Sequence, residues 1–258
     1  MKPDIVFVHG AWVNSHCWKG FRQRYEALGY TCHAPDWPFD DRPVAELKAS
    51  PAEELAGVGI AEIVEHYAAF IEGLSAPPII IGHSFGGLFT QLLLARGLGV
   101  AGVAIHSAPP AGVLPSLSAI KASLGVVTTW AHWRKVIVMS KSDWAWCFTH
   151  QLSEEEQLAT YDEFVVPTPG RPYAQAAFSP ALVTVDFAKA DRAPLLLVAG
   201  TADRTVTSDM NEANFKKYDG SKATTEFKLY DGRSHWTLGE PGWEQVADDV
   251  IEWAQAAL

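Results

Sequence analysis

The sequence predicts an α/β fold in which a mostly parallel central sheet is flanked by helices. Short apolar runs, typical of strands buried on both faces, alternate along the chain with segments of helical periodicity. The chain has 258 residues, of which 48% are hydrophobic and 19% charged, so it is globular and long enough to bury a large core. One stretch breaks the alternation, which indicates a single domain with an insertion.

The predicted strands are short and mostly apolar, and they occupy residues 5–9, 31–34, 79–81, 103–106, 194–199 and 225–230. Helical periodicity appears at 21–28, 53–74, 88–95 and 243–258. Chemistry in parallel sheets takes place at the carboxyl ends of the strands. The loops to search for functional residues therefore begin at Gly10, Gly82, Ser107, Gly200 and Asp231.

The insertion lies at residues 108–193 and contains no convincing strand pattern. It holds four of the ten tryptophans, and Ser153 with Glu156 forms a capping box that starts a short helix. A turn-rich break follows at 165–170. We interpret this stretch as a mostly helical cap over the strand ends. Residues 1–107 and 194–258 then form the α/β core.

The charge and cysteine content exclude several classes of function. The formal net charge is −10 without a Lys/Arg run, which disfavours nucleic acids and anionic membranes as partners. No apolar stretch approaches the roughly 18–20 residues that span a bilayer. Three widely spaced cysteines argue against a disulfide framework. With no visible signal peptide, we expect a cytoplasmic protein that acts on a small molecule. Both a monomer and a homodimer are compatible with the sequence.

The strongest motif is the G-x-S-x-G sequence at residues 82–86. It follows a predicted strand and opens a predicted helix, which is the context that a nucleophile elbow requires. Such an elbow exposes the Ser84 hydroxyl on a strained turn at the strand end. The following helix directs its N–H groups and positive dipole end toward developing negative charge. We predict that Ser84 is the nucleophile.

A serine nucleophile needs a base, and the base needs an acid to orient it. In sheets with such an elbow the chain order is serine, then acid, then histidine. Asp203 follows the strand at 194–199, and His235 lies on the loop between the last strand and the last helix. We therefore predict Asp203 and His235 as the acid and the base. Asp209 and Asp231 are the alternatives for the acid.

The negative oxygen formed in acyl transfer needs hydrogen-bond donors. One is expected to be the backbone N–H of Phe85, directly after the nucleophile. The second should come from the loop after the first strand, where Ala11 N–H is the first candidate and Trp12 N–H the second. His9 is expected to brace this loop rather than to act in catalysis.

Other patterns do not indicate a cofactor or a metal. The G-x-G-x-x-G sequence at 97–102 follows a predicted helix and precedes a strand, the reverse of a dinucleotide-binding motif. It is interpreted as a helix stop. No group of His, Cys and acidic residues has the local spacing of metal ligands. We predict no cofactor and no metal.

These motifs resemble those of the α/β-hydrolases, and the resemblance covers nearly the whole chain. His9-Gly10, the elbow with an additional Gly87, Asp203 and His235 occur in that family's order. The chain looks like the compact members: small bacterial esterases, plant methyl esterases and hydroxynitrile lyases. The lyases typically carry a threonine beside the oxyanion loop and a lysine after the catalytic histidine. This sequence has Gly10 and Trp236 there, which favours hydrolysis.

The resemblance implies a serine hydrolase acting on a carboxylic ester or lactone with an apolar portion. The same fold hosts hydroxynitrile lyases, perhydrolases, C–C and amide hydrolases and small-molecule receptors, so these remain alternatives. The tryptophans are expected to be divided between core filling and pocket lining. The candidate substrate-binding residues are Trp12, His83, His106, Trp130, Trp144 and Trp236.

Overall fold

The computed structural model describes residues 2–258 and is built around a six-stranded parallel sheet. Its strands lie in the order β2-β1-β3-β4-β7-β8. A separate two-stranded antiparallel pair is formed by β5 and β6. In chain order the strands are β1 (Ile5–Val8), β2 (Cys32–His33), β3 (Ile79–His83), β4 (Ala101–Ile105), β5 (Val136–Ile137), β6 (Thr168–Pro169), β7 (Leu195–Gly200) and β8 (Thr225–Tyr230). The predicted α/β class with a mostly parallel sheet flanked by helices is confirmed.

Helices connect the strands and cover the sheet. The α-helices are α1 (Lys19–Ala27), α2 (Val44–Ala49), α3 (Ile60–Glu72), α4 (Phe85–Ala95), α5 (Leu117–Val127), α6 (Lys141–Cys147), α7 (Glu154–Phe164), α8 (Arg171–Phe178), α9 (Ser208–Lys216) and α10 (Trp243–Ala256). Among residues 2–258, none of these helices has the length and apolarity required to cross a membrane.

The burial of each strand follows its place in the sheet. The four inner strands β1, β3, β4 and β7 are buried along their whole length. In the outer strand β8 five of the six residues are half-buried or exposed, and Tyr230 is buried. This difference agrees with the sequence, in which the inner strands are mostly apolar runs whereas β8 also contains the charged residues Glu226 and Lys228.

Three local predictions needed correction. The helix expected over 53–74 is divided into a 3-10 helix at Glu53–Gly57 and α3, because Val58 and Gly59 adopt extended backbone conformations between them. Helix α2 was not predicted, since it is only six residues long. The insertion at 108–193 contains the β5–β6 pair in addition to helices α5–α8, although no strand was expected there.

The parallel topology brings four loops to one edge of the sheet. Ser84 follows β3 directly, and His106 follows β4 directly. Asp203 comes three residues after the end of β7, and His235 five residues after the end of β8. Because the carboxyl ends of these strands are adjacent, residues that are far apart in the sequence meet at this edge.

Candidate active site

Ser84 occupies a strained turn between β3 and α4. Its φ of 58° and ψ of −121° lie outside the regions that a residue with a side chain normally adopts. The turn is possible because its neighbours are glycines: a Cβ on Gly82 would collide with the carbonyl of Gly86, and a Cβ on Gly86 would collide with the carbonyl of Val8. Strand, tight turn and helix follow one another as the G-x-S-x-G motif predicted.

Asp203 and His235 form a buried hydrogen-bonded pair. The Nδ1–H of His235 donates to Asp203 Oδ2 at 2.7 Å, and both side chains are fully buried. The other carboxylate oxygen accepts from the backbone N–H groups of Thr205 and Val206 at 2.7 and 2.8 Å. Asp203 therefore has a fixed orientation and in turn fixes the imidazole of His235. The two alternative acids, Asp209 and Asp231, are exposed.

A second histidine uses the same carboxylate oxygen. The Nδ1–H of His106 donates to Asp203 Oδ2 at 2.7 Å, and its side chain is fully buried as well. Burial alone would raise the pKa of Asp203, but the charge interaction with His235 and the hydrogen bonds from both histidines hold this pKa well below its usual range. The carboxylate is consequently charged over the whole neutral range.

His83 also contacts both the backbone and the ring of His235. Its Nε2–H donates to the backbone carbonyl of His235 at 2.9 Å, and the two rings lie 4.7 Å apart between centroids. Burial lowers the pKa of His83 well below its ordinary value, and the nearby His235 and His106 lower it further. His83 is therefore a neutral hydrogen-bond donor at physiological pH.

The outer nitrogen of His235 is free to accept a proton. Because Nδ1–H is held by Asp203, Nε2 is the nitrogen left to accept a proton, and it is buried with no hydrogen-bond partner among residues 2–258. The ring of Phe148 packs edge-on against the imidazole at 4.7 Å and also lines the cavity that contains Ser84. A basic nitrogen shielded from water by an aromatic ring suits proton transfer to and from a reacting group.

The loop after β1 packs directly onto Ser84. A Cβ on Gly10 would lie 2.7 Å from the Cβ of Ser84, so only glycine allows this approach. His9 braces the loop: its Nδ1–H donates to the Gly10 carbonyl, and its Nε2 accepts from the Trp37 N–H at 3.0 Å. The backbone N–H of Trp12 is occupied, since it donates to Thr168 Oγ1 at 2.7 Å. Of the two predicted second donors, Trp12 N–H is therefore occupied, and Ala11 N–H with Phe85 N–H stays the predicted donor pair for an oxyanion.

A cavity of about 540 Å³ extends from Ser84 into the insertion. Within the described part of the chain no charged side chain lines it, and its few polar side chains include the hydroxyls of Ser123 and Thr205. Most of its wall consists of small apolar and aromatic side chains, among them Trp12, Phe85, Pro110, Ala122, Phe148, Tyr173, Val183 and Met210. Such a cavity suits an apolar group of drug-like size.

The three histidines also form a group that could hold a metal ion. One nitrogen of each of His83, His106 and His235 lies within 4.8 Å of the others. The spacing rule used on the sequence did not predict this group, because its members follow three different strands. The absence of a metal in the working protein stays a prediction.

A profile of the Alpha/beta hydrolase family matches residues 5–249, which is nearly the entire described chain. The chain belongs to the alpha/beta hydrolase family. No curated protein matches it.

Several solved structures share the fold of this alpha/beta hydrolase. A monoacylglycerol lipase from Paleococcus ferrophilus is 19% identical, with 100% of this chain and 96% of that chain covered and a TM-score of 0.68. A methylesterase from Arabidopsis is 12% identical over 98% and 99% of the chains, with a TM-score of 0.71. A pyrethroid hydrolase from Sphingobium faniae is 16% identical over 99% and 98%, with a TM-score of 0.72. At these identities the likeness shows a common fold.

The expected substrate-binding residues lie in different places. Trp12 lines the cavity of the hydrolase. His83 and His106 do not line it; they lie behind it and bond to His235 and Asp203. Trp130 is 84% exposed and away from the cavity wall. Trp144 and Trp236 are buried in the core, where their rings meet edge-on at 5.2 Å.

Three residues of the insertion were missed by the sequence reasoning. Phe148 contacts His235, Tyr173 packs against Phe85 at 5.2 Å, and Thr168 holds the loop at Trp12. The only available signal was an aromatic side chain within the predicted cap, and the sequence analysis considered only the tryptophans there, so Phe148 and Tyr173 were passed over. Thr168 gave no signal in the sequence, since an isolated threonine in a turn-rich segment has many possible roles.

Proposed function

We propose that this hydrolase cleaves a carboxylic ester or lactone with an apolar portion through an acyl-enzyme on Ser84. One observation carries the proposal. Ser84 lies on a strained elbow at the wall of an apolar cavity. His235 contacts His83, the chain neighbour of Ser84, and is fixed by Asp203, while its Nε2 has no hydrogen-bond partner among residues 2–258. This combination supplies a nucleophile, a base and an orienting acid at one end of a binding site.

In the first half of the reaction, His235 Nε2 accepts the proton of the Ser84 hydroxyl while Oγ attacks the carbonyl carbon of the substrate. The carbonyl oxygen becomes negative and accepts hydrogen bonds from Phe85 N–H and Ala11 N–H. Asp203 stabilises the imidazolium that forms. The tetrahedral intermediate then collapses, and His235 gives the proton to the leaving alcohol.

In the second half, a water molecule replaces the alcohol. His235 Nε2 removes a proton from this water, and the hydroxide adds to the acyl carbon. The same donors stabilise the second oxyanion. Collapse of this intermediate breaks the bond to Ser84 Oγ, returns the proton to the serine and releases the acid. A lactone would follow the same steps, with the alcohol retained on the product.

The lining of the cavity favours binding of an uncharged, apolar part of the substrate, either its acyl or its alcohol group. A charged group would lose its hydration without finding a partner among the lining residues. The structurally similar proteins include a lipase of monoacylglycerols, a methylesterase and a pyrethroid hydrolase. A lipase, a methylesterase and a hydrolase are all hydrolytic enzymes, which agrees with the hydrolysis proposed here.

The proposal is tested by initial hydrolysis rates on p-nitrophenyl esters from acetyl to long acyl chains. Ser84→Ala should lower kcat by at least about a thousandfold, as removal of a triad nucleophile does, while the protein stays folded. Ser123→Ala is the matched control, because Ser123 also lines the cavity but has no role in the reaction. Wild-type turnover by Ser84→Ala, or no turnover of any ester by folded wild-type protein, contradicts the proposal.

A further inference from the structure

Helices α5 and α8 of the insertion expose an apolar face, called here the α5–α8 face. Helix α8 packs against α5 and against the 3-10 helix that follows it at His132–Arg134, so the side chains of this face belong to neighbouring elements. Exposed apolar patches of this kind mark interaction surfaces. Six large side chains of the face are between 44 and 87% exposed: Leu117, Ile120, Leu124 and Val127 of α5, Trp130 after it, and Phe178 at the end of α8.

The α5–α8 face is continuous with the cavity that contains Ser84. Ile120 and Val127 are exposed to solvent, and both also line the cavity. From α8, Ala176 and Ala177 line the cavity as well. The apolar surface thus extends from the cavity wall to the outside of the protein along the same two helices.

The charge around this face is opposite in sign to that of the whole chain. Residues 108–142 contain four Lys or Arg residues and no aspartate or glutamate, although the net charge of the protein is −10. Three of the four, Lys121, Arg134 and Lys135, are exposed and form no ion pair among residues 2–258. The acidic Asp143 of α6 comes close to α5, which leaves an excess of positive charge at the face.

Lys121 lies within the apolar face itself. It is four residues from Leu117 and three from Leu124, so the three side chains share one side of α5. Its Nζ lies 4.1 Å from the centroid of the Trp146 ring, and the guanidinium of Arg204 lies 5.6 Å from the same centroid. Two positive groups therefore lie beside the exposed leucines.

We propose that the α5–α8 face binds to an anionic lipid surface, from which the apolar substrate enters the cavity. Exposed Leu, Phe and Trp side chains insert between lipid headgroups and acyl chains, while neighbouring Lys and Arg side chains attract anionic headgroups. The entry of substrate rests on the proposed function of Ser84, whereas the binding to lipid rests on the face alone.

A second copy of this chain fits the same face less well. In a symmetric dimer the face would meet itself, which would bring Lys121, Arg134 and Lys135 of the two copies together. Like charges placed across an interface oppose association, whereas anionic headgroups neutralise them. The sequence analysis disfavoured anionic membranes on the net charge, but the charge that meets a surface is the charge of the contacting face.

Two multiple variants test the proposal by cosedimentation with lipid vesicles. One carries Leu117→Gln, Leu124→Gln and Phe178→Gln, and the other carries Lys121→Glu and Lys135→Glu. Both should bind vesicles of equal parts phosphatidylcholine and phosphatidylglycerol at least about tenfold more weakly than wild type does. Wild type should bind phosphatidylcholine vesicles about tenfold more weakly than the mixed ones, and added salt should weaken the binding to mixed vesicles.

The controls are an exposed leucine and an exposed lysine outside the insertion. Leu229→Gln on β8 and Lys222→Glu before it should both bind as wild type does. None of the five residues changed in the two multiple variants lines the cavity. Their hydrolysis of p-nitrophenyl acetate in solution should therefore stay within about twofold of wild type. Hydrolysis of a long-chain p-nitrophenyl ester carried in the mixed vesicles should fall at least about tenfold.

Three outcomes overturn the proposal. The first is that folded wild-type protein does not bind the mixed vesicles, and the second is that both multiple variants bind them as wild type does. The third is a dimer in sedimentation velocity that the glutamine variant loses, because a second copy would then cover the face. Vesicle binding needs no catalysis, so Ser84→Ala should bind as wild type does. Failure of the proposed reaction is thereby distinguished from failure of this inference.

Discussion

The hydroxyl of Thr168 accepts a 2.7 Å hydrogen bond from the backbone N–H of Trp12, across 156 residues of sequence. Thr168 belongs to the insertion, and Trp12 belongs to the loop that supplies the candidate oxyanion donor Ala11. Trp12 has a φ of 72°, and its carbonyl accepts from Val166 N–H at 2.9 Å. The insertion therefore holds the loop in a conformation that it would not adopt alone.

Replacing Thr168 with valine should lower kcat by about tenfold with little change in KM, because the Ala11 N–H would no longer be held at the oxyanion position. Steady-state kinetics on a p-nitrophenyl ester measure the effect. Thr184→Val is the matched control, since Thr184 is an exposed threonine of the same insertion. A rise in KM at constant kcat would mean that Thr168 serves substrate binding instead.

Filling the cavity should shorten the preferred acyl chain. Ala122 lines the cavity from α5, and a phenylalanine there would occupy space otherwise open to the substrate. We expect Ala122→Phe to lower kcat/KM on long-chain p-nitrophenyl esters by about tenfold or more and to leave the acetyl ester nearly unchanged. Ala181→Phe, at an exposed position outside the cavity, should leave the whole chain-length profile as in wild type. A uniform loss over all chain lengths would contradict this prediction.

Asp40 should make the protein less stable at high pH. The residue is 1% exposed, and none of the residues that the structure describes offers its Oδ1 a hydrogen bond. Burial, followed by the nearby Asp36, raises the pKa of Asp40 to about 8. Because the folded state binds this proton more tightly than the unfolded state, the free energy of unfolding falls as pH rises from about 4 to about 8.

Asp40→Asn removes this titration. The stability of the variant relative to wild type should therefore increase between pH 5 and pH 8 and change little above pH 9, as measured by urea unfolding at each pH. Asp41→Asn removes an exposed neighbouring carboxylate and should show no such trend. If the stability difference for Asp40→Asn is independent of pH, the buried carboxyl group is not protonated as expected.

Substitutions of Trp144 and Trp130 should differ in their effect on the stability of the protein rather than on substrate binding. Trp144 is fully buried, stacks on Phe148 at 4.4 Å and donates from Nε1 to Thr160 Oγ1 at 3.1 Å. Trp144→Ala should lower the free energy of unfolding by about 3–5 kcal/mol. Trp130→Ala should change it by less than about 0.5 kcal/mol, since its side chain is exposed. Thermal and urea unfolding check both values, and equal losses would contradict the described packing.

Much of the α/β core could be predicted because short-range sequence patterns determine its strands and its elbow. The four inner strands are continuous apolar runs, and the G-x-S-x-G sequence requires a tight turn wherever it joins a strand to a helix. The acid and the histidine were located by chain order and strand ends, and the structure brings Asp203 and His235 within hydrogen-bond distance. These inferences needed no knowledge of distant contacts.

The insertion was less predictable for a physical reason. Its β5 and β6 strands contain two residues each, too few to show a period, and they pair across about thirty residues of chain. The tryptophans illustrate the same limit. Trp12, Trp130 and Trp144 are chemically identical, yet one lines the cavity, one is exposed and one is buried, because burial depends on neighbours supplied by other segments.

The sequence by itself determined the α/β class, the elbow at Ser84 and the strand ends at which chemistry is expected, since these follow from short-range periodicity and turn geometry. Only the tertiary structure decided which side chains share a partner. The order of the parallel strands brings His106 and His235 to the same partner, Asp203. The fold of the insertion over these strands brings Thr168 to Trp12. Such contacts join residues that no local pattern relates.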